Sequence, residues 1–238
     1  MTKDRAPIPG RDAPAASSTR TEIDAFLDKA RSVPTKAVPG RGRLIFALDA
    51  TMSRQPTWDI ACRLQADMFQ QAATIGGLDV QLVYYRGFGE CRASSWVSDS
   101  SRLGALMSRI DCRGGHTQIG KVLAHARREN EAGQVRALVF VGDAMEESLD
   151  DLCGAAGELG LTGVPAFVFQ EGDDPVAANA FREIARLSNG AYCRFSPGAA
   201  RELAELLRAV AAYAAGGYAA LEAAPANNAT AKLLAQLR

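Results

Sequence analysis

Asp49, Thr51 and Ser53 occupy alternate positions in LDATMS, directly after the apolar run RLIFAL. Where a chain turns out of a strand, alternate residues can face one crevice. The spacing therefore aims one carboxylate and two hydroxyls at a common point. A second carboxylate, Asp143, ends another apolar run, VRALVFVGD, and a third hydroxyl, Thr117, follows Gly114-Gly115 at the start of a helical segment. The set has two carboxylates, three hydroxyls, no imidazole and no thiolate. All-oxygen ligation suits a hard cation, and so few carboxylates leave room for the water that Mg2+ keeps. Mn2+ or Ca2+ could use the same donors.

The stretch GGHTQIGKV, residues 114 to 122, is one side chain away from a nucleotide-binding loop. From Gly115 it reads G-x-x-x-x-G-K-V, and Val122 stands where a phosphate loop needs a hydroxyl for its Mg2+. Such a loop must also follow a strand, and SRIDCRGG is a poor one. No G-x-G-x-x-G follows the first strand either, so no nucleotide is expected. Thr117 is assigned to the metal set instead, with the two glycines letting its loop approach closely.

These residues need a scaffold, and the rest of the chain describes one. Residues 1–41 form an extension rich in Pro, Ala, Ser and charge, expected to be flexible apart from a short helix in TEIDAFLDKARS capped by Thr21. From Gly42 onward, strands and helices alternate. RLIFALD, DVQLVYYR, VRALVFVGD, VPAFVFQ and AYCRF read as strands, and GECRASSW as a short edge strand. TWDIACRLQADMFQQAATI, SRLGALMSRI, QIGKVLAHARREN, SLDDLCGAAGELG, PVAANAFREIARLSNG and GAARELAELLRAVAAYAA read as helices. The domain is expected over 42–215, with a helical tail over 216–238. This alternation implies a mostly parallel sheet covered on both faces. In such a sheet, ligands gather beyond the carboxyl ends of the central strands, where strand order reverses. The two most apolar strands are the expected central pair, and they lead to Asp49 and Asp143.

Composition narrows the partners. Lys plus Arg and Asp plus Glu balance at 27 each, which gives no basis for nucleic acid or an anionic membrane as the main partner. The five cysteines are scattered and never form C-x-x-C, so neither a zinc site nor a disulfide framework is expected. The N-terminus lacks the apolar core of a secretory signal, and the alanine-rich stretch from Ala199 to Ala224 carries Arg201, Glu202, Glu205 and Arg208. That stretch reads as an amphipathic helix, and the expected location is the cytoplasm.

The D-x-T-x-S, the loop threonine and the strand-end aspartate together resemble the metal-ion-dependent adhesion site of von Willebrand factor A (VWA) domains. The family's D-x-S-x-S corresponds to Asp49-Ala50-Thr51-Met52-Ser53, its loop threonine to Thr117 and its strand-end aspartate to Asp143. Thr51 replaces the usual first serine, and Ala144 stands where glycine is usual. The resemblance implies a three-layer Rossmann-like fold: six strands, five parallel and one antiparallel at the edge, with helices on both faces. It further implies a stand-alone cytoplasmic protein of bacterial type, an intact site, Mg2+ held partly through water, and a partner protein that completes the octahedron with an Asp or Glu. Neutral hydroxyl ligands leave the ion attractive to an incoming anion.

Each residue also has a plainer use. Asp49 or Asp143 alone could cap a helix. Glu146 and Glu147 read as the solvated start of a helix, His125 as a helix-surface residue, and EGDDP as an exposed turn. Two other functions compete with this one. LIFALDAT resembles the D-x-D-x-T of haloacid dehalogenase-like phosphatases, but Thr51 stands where that motif needs its second Asp, the general acid. A structural VWA domain with an empty ion site is the other. Without a positioned base or nucleophile, binding is expected and catalysis is not.

Overall fold

A computed structural model describes residues 41–73, 75–197 and 199–237. The N-terminal extension, with the helix expected at 21–32, lies outside the described residues apart from Arg41. Six strands run in the order β3-β2-β1-β4-β5-β6: β1 (Gly42–Asp49), β2 (Leu78–Arg86), β3 (Glu90–Ala93), β4 (Ala137–Gly142), β5 (Ala166–Glu171) and β6 (Ala191–Phe195). All neighbouring pairs are parallel except β2 with β3, the antiparallel edge. The expected fold class is the one observed.

The continuous apolar runs became central strands because both of their faces are covered. Along β1, side chains alternate between two cores. Leu44, Phe46 and Leu48 enter one, and Ile45 and Ala47 enter the other. The first core is closed by α1 (Gln55–Ala73), α2 (Ser100–Met107), α6 (Ala200–Glu222) and α7 (Asn228–Gln236). The second is closed by α3 (Ile119–Ala132), α4 (Leu149–Leu161) and α5 (Pro175–Leu187). In α6 the apolar stripe Leu203, Leu206, Leu207 and Val210 is buried, and the helix kinks at Gly217, whose φ is 72°. No described helix is long and apolar enough to cross a membrane.

The segment read as a helical tail is docked. Leu233 of α7 is fully buried, and the Gln236 amide bonds both backbone groups of Tyr192 on β6, donating to its carbonyl at 2.9 Å and accepting from its N–H at 2.8 Å. The five cysteines are free thiols.

The first chain reversal sets the position of everything that follows. β1 pairs with β2 on one side and β4 on the other, so crossovers depart in opposite directions from the β1–β4 boundary. Asp49 closes β1, and Asp143 follows β4 directly.

Candidate metal centre

Past Asp49 the chain makes a single 3-10 turn, Met52–Arg54, before α1. That turn brings the hydroxyls together. Thr51 Oγ1 lies 3.3 Å from Ser53 Oγ, which donates to Asp143 Oδ2 at 3.2 Å. Asp49 is buried, and both of its oxygens take donors: Oδ1 accepts from the Thr51 N–H at 2.7 Å and Oδ2 from the Tyr85 hydroxyl at 3.1 Å. Burial pushes the Asp49 carboxyl above its ordinary range against the pull of the Thr51 hydrogen bonds, and Asp143 adds to the rise. Tyr85, fully buried, is pushed well above its usual value by burial and then by Asp49.

Four of the five expected residues are thus contiguous. Thr117 stands slightly apart. Its Oγ1 accepts from the Glu146 N–H at 3.0 Å, while its own N–H donates to Glu146 Oε2 at 3.0 Å. The Thr117 loop is stitched to the β1 exit by the Arg113 N–H on the Ala50 carbonyl at 2.9 Å, and to the β2 exit by the His116 N–H on the Gly87 carbonyl at 3.2 Å. Gly115 is what permits this approach, since a Cβ there would fall 2.1 Å from the Gly87 oxygen. Gly114, expected to share that task, has open space around it. Ala144 needs no glycine-like backbone: among the described residues the one non-glycine at positive φ is Asn189.

Several charged residues depart from their sequence readings. Glu146 and Glu147 do not open their own helix. Glu147 accepts from the N–H groups of Ile119 at 2.5 Å and Gly120 at 2.9 Å, and so caps α3 across the crevice. Glu146 is held below its ordinary range, first by the Thr117 N–H and then by His116, whose Nδ1 is 3.1 Å away. Glu171 is not part of an exposed turn; it ends β5 and is buried. His125 is half-buried, with its Nε2 2.8 Å from Gln81 Oε1, and burial lowers its pKa.

The residue sequence reasoning missed altogether is Arg54. Its side chain is only 2% exposed. One terminal nitrogen, NH1, pairs closely with Glu171 Oε2 and lies 3.9 Å from Asp143 Oδ2. The Thr57 hydroxyl donates to the same Glu171 oxygen. Burial pulls the Arg54 pKa down, and Asp143 and Asp49 pull it back up. The position directly after Ser53 was the only cue in the sequence, and arginine in a turn ordinarily reads as solvated.

The donor set fits a small hard cation in spacing. Adjacent ligands of an octahedron with Mg–O near 2.1 Å lie about 3 Å apart, close to the Thr51–Ser53 and Ser53–Asp143 separations. In number it is sparse. Among the described residues no three His, Cys, Asp or Glu side chains gather into a metal-holding group. Any ion here would rest on two aspartates, hydroxyls and water.

No protein-family model matches the sequence, and no curated protein matches it. Solved structures do match. A von Willebrand factor type A protein from Catenulispora acidiphila superposes with a TM-score of 0.59 at 20% identity, covering 74% of this chain and 43% of that one. The SpRpn10 VWA domain superposes at 0.56 and 13% identity, covering 69% and 94%. Proximal thread matrix protein 1 from the mussel byssus, in a form with a zinc-occupied adhesion-site motif, superposes at 0.59 and 14% identity, covering 73% and 46%. This chain therefore spans less than half the length of the first and third of these. The fold is that of VWA domains.

Proposed function

We propose that this chain is a protein-interaction module that holds Mg2+, or Mn2+ or Ca2+ in its place, at the carboxyl edge of β1 and β4. The observation that carries this reading is the run of oxygens from Thr51 through Ser53 to Asp143, spaced like neighbours in a hydrated octahedron. Asp49, Thr51, Ser53 and Asp143 would hold the ion directly or through water, with Thr117 joining from the facing loop. When bound, the ion supplies a Lewis-acidic position that attracts a carboxylate.

The chain's own residues prepare that position. Tyr85 and the Thr51 N–H orient the Asp49 carboxylate, and Glu146 fixes Thr117 just before the start of α3. Around it stand the exposed side chains Met52 and Phe88, with the Phe88 ring edge-on to His116 at 5.1 Å. The partner is an acidic residue of another protein flanked by apolar surface. This reading is one of binding: the hydroxyls beside the two aspartates serve the ion, and no catalytic step is invoked. We place the protein in the cytoplasm, with 42–215 as the VWA domain, against whose core α7 docks.

Affinity purification with the full chain tests the reading. In Mg2+ a partner is retained; in EDTA, or with Asp49→Ala, it is lost while circular dichroism stays unchanged. Retention of the same partner under both treatments would overturn the metal-dependent reading.

A further inference from the structure

We propose that Arg54 is a built-in counter-cation that sets the ion affinity of this centre, with Glu171 holding it away from Asp143. The inference rests on the metal-centre reading but concerns residues which that reading does not use.

Three carboxylates line the carboxyl edge of the sheet on adjacent strands: Asp49 at the end of β1, Asp143 after β4 and Glu171 at the end of β5. Among the described residues the Arg54 guanidinium lies against two of them, Asp143 and Glu171. Arg54 shares that edge with any ion, because Asp143 Oδ2, the oxygen that accepts from Ser53, is also the one 3.9 Å from Arg54 NH1. Two cations cannot both lean on one carboxylate oxygen in a partly buried site without strong repulsion.

The guanidinium is not held as a well-satisfied structural ion pair would be. Its Nε is buried and has no hydrogen-bond partner among the described residues. An unsatisfied buried donor is costly and asks for a reason. Its one close charge partner is Glu171, which also accepts from Thr57. Glu171 therefore acts as an anchor that keeps the positive charge beside Asp143 but not on it. Without an ion, Arg54 relieves the repulsion between Asp49 and Asp143. With an ion, it limits how tightly the ion is held.

Two variants move affinity in opposite directions. Arg54→Met removes the competing charge and tightens binding of the divalent ion, while Glu171→Gln frees Arg54 to settle on Asp143 and weakens it. Each change is on the order of tenfold, as for unit charges a few ångströms apart under partial burial. Titration calorimetry of the full chain with Mg2+ alone and Mn2+ alone reads both, and thermal melts with EDTA or Mg2+ give a second readout. The ion-induced rise in melting temperature should be larger for Arg54→Met than for the parent protein. If both variants weaken binding, or neither changes it, the pair is only structural and the proposal fails while the metal centre stands. A parent protein that binds no ion beside an Arg54→Met variant that does would sustain the proposal and overturn the metal-centre reading of the native chain. No binding by either overturns both. Should Arg54→Met not fold, Glu171→Gln decides alone: unchanged or tighter binding sinks the idea.

Discussion

The Tyr85 hydroxyl donates to Asp49 Oδ2 at 3.1 Å from a fully buried ring. This contact holds a carboxylate that the fold has otherwise stripped of solvent. Burial raises the Asp49 pKa in the folded protein, so over the window above the ordinary carboxylate value folding takes up a proton. The stability this gives is fully present below the unfolded value and is lost as pH rises through the raised one. Where Asp49 is ionised, its burial is therefore a cost to stability. Asp49→Asn should raise the stability of the ion-free protein by about 1 kcal/mol. Urea unfolding in EDTA at neutral pH and again near pH 4 reads this, and the gain should shrink at the lower pH. A variant less stable than its parent at neutral pH would contradict the account.

Adjacent glycines in the Thr117 loop should behave differently. A Cβ at Gly115 would meet the Gly87 carbonyl at 2.1 Å, whereas nothing lies within 4 Å of a Cβ at Gly114. Gly115→Ala must push apart two backbone segments and is expected to cost about 1–3 kcal/mol. It also shifts Thr117, so ion affinity should fall with stability. Gly114→Ala should stay within about 0.5 kcal/mol. Equal effects in thermal melts of the two variants would mean that the loop does not sit against Gly87.

The fold was legible because its strands are continuous apolar runs and its helices are apolar at helical spacing. RLIFALD became β1 and QIGKVLAHARREN became α3 with boundaries close to those expected. The D-x-T-x-S cluster was legible because its members are near neighbours in the chain. Arg54 and Glu171 were not: they are 117 residues apart, and each alone has the character of a surface residue. Glu147 was misread for a related reason. A glutamate two residues before a helix reads as belonging to that helix, while its real partners are amides of a helix 27 and 28 residues earlier. Sequence spacing reports residues that share an element, and these pairs are made only when elements pack.

That cross-crevice cap makes its own prediction. Glu147 satisfies two N–H groups of the first turn of α3, where a negative charge also meets the helix dipole favourably. Glu147→Ala should cost about 1–2 kcal/mol. Hydrogen exchange should quicken at Ile119 and Gly120 before it does along the rest of α3. If exchange there were unchanged, the α3 amides would not depend on this carboxylate.

The segment over 228–236 offers a sharper test of where the domain ends. A solvated tail would tolerate substitution within about 0.5 kcal/mol at any position. Leu233 instead has no exposed surface and packs in the core with the buried residues of α6. Leu233→Ala should cost about 2–5 kcal/mol, the range for a leucine deleted from a core. Gln236→Ala, on the exposed side of the same helix, loses its two bonds to Tyr192 and one to the Lys232 carbonyl and should cost about 0.5–1 kcal/mol. Those two bonds also occupy the free edge of β6, which would otherwise offer unpaired backbone groups to another chain. Removing residues 228–238 should then produce dimers or larger species by light scattering at concentrations where the full chain stays monodisperse. A truncated protein with an unchanged melting temperature would return this helix to the status of a tail.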